Sequence, residues 1–152
     1  MKYYNLSKNI IACENFLPNQ KLEELYSDLL NNRQLFQSPR WSGEGENSTE
    51  LFSDKCGGLD FWISNKTKEN NNSEWNIHVI SYNNGGYYNW HKDTAMSTLF
   101  TFNLILNKGQ SLKGGDLLFY DEKIIEVKNK NNFFVLFPTY IPHAITPVYT
   151  ED

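Results

Sequence analysis

The chain has 152 residues, a length that suits one domain with a sizeable core. It is 39% hydrophobic and 15% aromatic, which excludes a disordered segment, and a net charge of −4 with no long basic run disfavours nucleic acid as a partner. Two distant cysteines, Cys13 and Cys56, form neither a disulfide framework nor a zinc knuckle and fit a reducing, cytoplasmic setting.

The N-terminal stretch "MKYYNLSKNIIACENF" has no unbroken apolar core of a signal peptide, and no run is long enough to span a membrane. "FLPNQKLEELYSDLLNN" then predicts a helix over 18–31. Leu22, Leu25, Leu29 and Leu30 recur at helical spacing, and Pro18 suits a first turn that needs no amide donor. The stripe should lie against a sheet. Residues 38–58, "SPRWSGEGENSTELFSDKCGG", read as a long loop of the kind that forms a lid, and 65–73 as an exposed connection. From there the chain reads as β. Runs rich in β-branched and aromatic residues occupy 75–82, 97–106, 116–120, 123–127, 131–137 and 143–149, with a further segment around 86–93. Turn signals fall at 83–86, 107–115, 120–123, 128–132 and 138–142. No internal repeat is present. The expected architecture is a single α+β domain over 1–152, mainly β, with one helix in front of a sandwich or barrel.

Three histidines are present. His78 lies between Ile77 and Val79 and reads as a half-buried strand residue. His91 and Asp93 are two apart in "YYNWHKD", so on an extended strand both would face the same side. Such a pair fits either a metal site or an ordinary strand end. His143 follows "FPTYIP" at the start of another β run. Two imidazoles and one carboxylate on one face of an ion form the ligand set of non-haem Fe(II) oxygenases.

The segment 75–149 resembles the 2-oxoglutarate- and Fe(II)-dependent dioxygenases, especially the prolyl-hydroxylase-like branch. The resemblance rests on "SYNNGGYYNWHKD", "TFNLILN", "KGGDLLFY" and "FVLFPTYIPHAITPV" in that order, with "NFLPNQKLEELYSDLL" similar to the helix before the barrel. It leaves 33–74 unmatched. It implies a double-stranded β-helix, or jelly roll, with the helix packed outside. It also implies His91, Asp93 and His143 as iron ligands, with 2-oxoglutarate and O2 as cosubstrates and ascorbate as an accessory reductant. Tyr82, Tyr88 and Thr101 match positions that help hold the cosubstrate. Strict strand alternation would turn Tyr88 away from His91, so that role needs a twist or bulge, which the preceding "GG" permits. Trp41 and Trp90 read as core residues or as the lining of a substrate mouth. Gly114 and Gly115 read as backbone geometry.

The sequence departs from the family at one point. The branch grips the far carboxylate of 2-oxoglutarate with an arginine or lysine on the last strand, beyond the second histidine. Here "HAITPVYTED" holds neither, and seven expected strands leave the last one lacking, as in a truncated chain. Lys108, in the turn "NKGQ", is the nearest alternative anchor. The resemblance thus implies a hydroxylase of a C–H bond, with a prolyl residue of a protein or peptide as substrate class and a small molecule as the alternative. The missing cation favours a second reading, a metal-binding jelly-roll module without oxygenase activity. A third is a cupin-like barrel with purely structural histidines. An unpaired sheet edge would invite self-association.

Overall fold

The computed structural model describes residues 2–31, 58–65, 75–82, 84–93, 99–107 and 111–150. Two strands, β1 (Lys2–Asn5) and β2 (Ile11–Glu14), precede helix α1 (Asn19–Asn31). After it come β3 (Gly58–Asn65), β4 (Trp75–Tyr82), β5 (Tyr88–His91) and β6 (Phe100–Ile105). The remainder holds β7 (Leu112–Gly114), β8 (Leu117–Asp121), β9 (Lys123–Val127), β10 (Phe133–Pro138), β11 (His143–Ile145) and β12 (Val148–Thr150).

The strands form a sheet of order β1-β2-β10-β6, a second of order β5-β11-β8-β9, and the pairs β12-β7 and β3-β4. Among the described residues every pairing is antiparallel. The two four-stranded sheets share one core, because Ile10, Ala12, Val135 and Phe137 cluster with Leu117, Phe119 and Val127. Strand alternation explains the contact. On β10, Phe133, Val135 and Phe137 are buried and the residues between them are not. Phe137 meets Phe119 edge-to-face across the interior, with ring centroids 4.8 Å apart.

The helix begins one residue after Pro18, whose carbonyl accepts the Leu22 amide at 3.0 Å. Leu22 and Tyr26 are buried, Leu25 and Leu29 are half-buried, and Leu30 is 63% exposed. Leu30 therefore does not belong to the buried stripe. At about 100° per residue it lies about 80° around the helix from Leu22, and the nearer Tyr26 takes its place. Asn132 ties the helix entry to β10. Its side chain accepts the Leu17 amide and donates to the Leu17 carbonyl, both at 2.8 Å, while its own carbonyl accepts the Phe16 amide.

The structure revises the expected strands in several places. β1, β2 and β3 lie where none was expected, and β7 forms inside the expected turn 107–115. The run 143–149 is two strands rather than one. Pro147 has no amide to continue a ladder, so the chain leaves β8 at Thr146 and rejoins a partner, β7, at Val148. That change of partner needs the double glycine. Gly114 and Gly115 have φ of 72° and 69°, and a Cβ on Gly114 would lie 1.9 Å from the Pro147 carbonyl oxygen. Trp41, Cys56, Lys108 and residues 38–57 lie outside the described residues. No helix among those described is long and apolar enough to cross a membrane.

Candidate metal centre

β5 and β11 run side by side with His91 directly opposite His143. Residues opposite one another in a ladder share a face, so both imidazoles enter the interior together, with ring centroids 4.1 Å apart. Asp93 lies two residues past the end of β5. Its amide donates to the Thr139 carbonyl at 3.1 Å, which ties the segment to the residue just after β10. One ligating atom from each of His91, Asp93 and His143 falls within 4.8 Å of the others. The Asp93 carboxylate oxygens stand 3.6 Å from His91 Nε2 and 3.5 Å from His143 Nε2. These gaps exceed a good hydrogen bond and are of the size that shared coordination requires.

Both rings are oriented from behind. His91 Nδ1 lies 2.7 Å from the Asn89 carbonyl oxygen and His143 Nδ1 lies 3.1 Å from that of Ile141. A carbonyl can only accept, so each Nδ1 carries the proton and the neutral ring offers its Nε2 lone pair to the centre. His143 is 4% exposed and packs edge-on to Phe137 at 4.8 Å. Burial holds it below the ordinary imidazole range, against the opposing pulls of the Asp93 charge and the Ile141 carbonyl. A neutral imidazole is the form that binds a metal. The donor set therefore fits a first-row divalent ion such as Fe(II).

Tyr88 stacks on His91, with centroids 4.0 Å apart. The device that allows this lies inside β5 itself rather than at the glycines before it. His143 pairs with His91 and Ile145 with Tyr88, so three steps along β5 match two along β11. This bulge inserts one residue and brings Tyr88 to the His91 side. Tyr82 and Ile145 pack against Tyr88, and the Tyr82 hydroxyl oxygen is shut off from solvent. Thr101 lies on β6, in the other four-stranded sheet from the histidines. It pairs with Phe137, whose ring touches His143, and so faces the same interior. Trp90 alternates with His91 and is 46% exposed, so it is not core. His78 lies on β4 opposite Trp62. The carbonyls of Asn89, Ile141 and Thr139 are parts of the centre that residue types could not reveal, since every residue carries one.

The model of the 2OG-Fe(II) oxygenase superfamily matches residues 77–152, half of the chain. The chain belongs to that superfamily. Its fold is that of the prolyl hydroxylases. A prolyl-4-hydroxylase from Pseudomonas putida superposes with a TM-score of 0.70 at 16% identity, over 93% of this chain and 87% of that one. A prolyl hydroxylase from Trichoplax adhaerens, in complex with a hypoxia inducible factor oxygen degradation domain peptide fragment, gives the same TM-score and identity over 95% and 80%. No curated protein matches by sequence. Membership of the superfamily implies Fe(II), 2-oxoglutarate and O2 as cofactor and cosubstrates, and the His91, Asp93 and His143 triad could hold the iron.

Proposed function

We propose that this oxygenase hydroxylates a C–H bond of a prolyl residue in a protein or peptide. The convergence of two imidazoles and a carboxylate, each ring already held through Nδ1, carries the metal-dependent part of the reading. The substrate class rests on the likeness of fold to two prolyl hydroxylases. In this reading the two facing sheets are the double-stranded β-helix. His91, Asp93 and His143 hold the iron, and Tyr82, Tyr88 and Thr101 line the cosubstrate side.

When bound, the iron and 2-oxoglutarate supply the oxidising power: O2, 2-oxoglutarate and the substrate C–H give succinate, CO2 and the alcohol. The chain supplies the setting. Nδ1 hydrogen bonds fix both rings, so the donor set is formed before the metal arrives. Phe119 and Phe137 exclude water on the interior side of His143. Tyr88 stacks on His91 and limits its rotation.

Incubation of the whole protein with Fe(II), ascorbate, 2-oxoglutarate and a proline-rich peptide library should release succinate in step with a 16-Da gain on a peptide. Asp93→Ala should abolish both and the stoichiometric uptake of metal. Metal uptake without succinate would instead favour a metal-binding module with no oxygenase activity.

A further inference from the structure

The interior face of β6 carries polar groups where folding alone would select apolar ones. Register sets Thr101 opposite Phe137, Asn103 opposite Val135, and Ile105 opposite Phe133. Those three partners are 0%, 0% and 3% exposed, so Thr101, Asn103 and Ile105 all look into the space between the sheets. On the other face of the same strand, Phe100 and Phe102 are 62% and 51% exposed. The strand thus turns phenylalanines outward and a carboxamide inward, the reverse of ordinary partition. Asn103 is half-buried, and its side chain bonds none of the described residues. A carboxamide on this face can donate to a polar group that enters between the sheets.

Position suggests which partner. Thr101 marks the depth of the metal centre, because its opposite residue, Phe137, touches His143. Two residues along a strand advance about 6.6 Å, so Asn103 lies one step further from the centre. Beyond it, Phe133 belongs to the buried core and Ile105 packs against that core, so the next step along the strand is apolar. A five-carbon 2-oxo diacid chelated at one end reaches about 5 Å through four carbon–carbon bonds of ~1.5 Å. Its far carboxylate would therefore arrive at the depth of Asn103.

We propose that Asn103 determines cosubstrate specificity by donating its side-chain N–H to the far carboxylate of 2-oxoglutarate. The inference rests on the oxygenase reading above and adds to it a residue of stated role. A carboxamide makes a weaker anchor than a guanidinium, since it supplies a donor without a charge.

The test is calorimetric titration of the manganese-loaded full chain with 2-oxoglutarate and, separately, with oxalate, a chelator that has no tail. Asn103→Ala should weaken 2-oxoglutarate by about ten- to a hundred-fold, the range for a hydrogen bond to a charged group. Asn103→Asp should weaken it further, because two carboxylates then face each other. Manganese and oxalate should bind all three proteins alike. An unchanged 2-oxoglutarate affinity in Asn103→Ala would overturn the proposal. So would a parallel loss of oxalate or manganese binding, which would mean that Asn103 acts through the fold. Failure of the unaltered protein to bind 2-oxoglutarate would instead remove the oxygenase reading, and this inference with it.

Discussion

Two single residues hold more of this molecule than their size suggests. Asn132 is 3% exposed and adopts φ of 58°, a left-handed conformation that asparagine tolerates and alanine does not. Its carboxamide pairs reciprocally with the Leu17 backbone, so Asn132→Ala also strands a part-buried donor and acceptor. The expected loss is about 3 kcal/mol of unfolding free energy, read from urea titration. Asn132→Gly should recover the backbone share and no more. The second residue is His143, whose burial keeps it neutral in the fold. An unfolded histidine takes a proton near pH 6.5, and the folded one resists it to lower pH. The unfolded state therefore binds more protons in that window, and stability must fall as pH drops through it. In metal-free protein, urea midpoints measured from pH 7.5 down to 5.5 should decline. His143→Gln should flatten that decline, and an equal slope in the variant would assign it elsewhere.

At the scale of elements, what the sequence made legible follows from how each signal arises. β10 and β8 were legible as short runs of apolar and aromatic residues, and only their burial alternates with a period of two. β1 and β2 have four residues each and β7 has three, too few for a period to emerge from a polar background. Their existence depends on partners far away in sequence, such as β10 for β2. The spacing of His91 and Asp93 and the position of His143 were legible, and the fold brings them together. The need for a bulge in the Tyr88–His91 segment was legible, and the register shift lies there; its strand partner was not legible, because a bulge is a property of a pair of strands. Asn103 passed unnoticed because one asparagine in a β run carries no signal until its face is known. The turn "KGG" was read as geometry, and this can be measured. Gly114→Ala would drive a methyl group into the Pro147 carbonyl and should cost about 3 kcal/mol or more. Gly85→Ala shares a positive φ, of 84°, but meets nothing within 4 Å, so only the backbone cost of about 1–2 kcal/mol remains. Similar losses for the two would show that the close approach of β7 to Pro147 is not what requires glycine.

For the whole molecule, the metal is a folding ligand as well as a reagent. His91 and Asp93 come from one strand end and its extension, and His143 from a strand far along the chain. All three converge only when β5 and β11 are paired, so the unfolded chain offers no comparable site. An ion that binds the folded state alone adds stability by mass action, about 2.7 kcal/mol at a hundred times its dissociation constant. For a domain of this length, each kcal/mol moves the midpoint by about 2–4 °C, so a rise of about 5–10 °C is expected. Thermal unfolding with Mn(II), which occupies such sites without turnover, should show that rise, and a chelator should reverse it. Asp93→Ala and His143→Ala should both lose the shift, because each leaves two donors where three are needed. His78→Ala, on β4 and outside the donor set, should keep it. A full shift in Asp93→Ala would place the ion at some other group of residues, and the reading of the centre would fall with it.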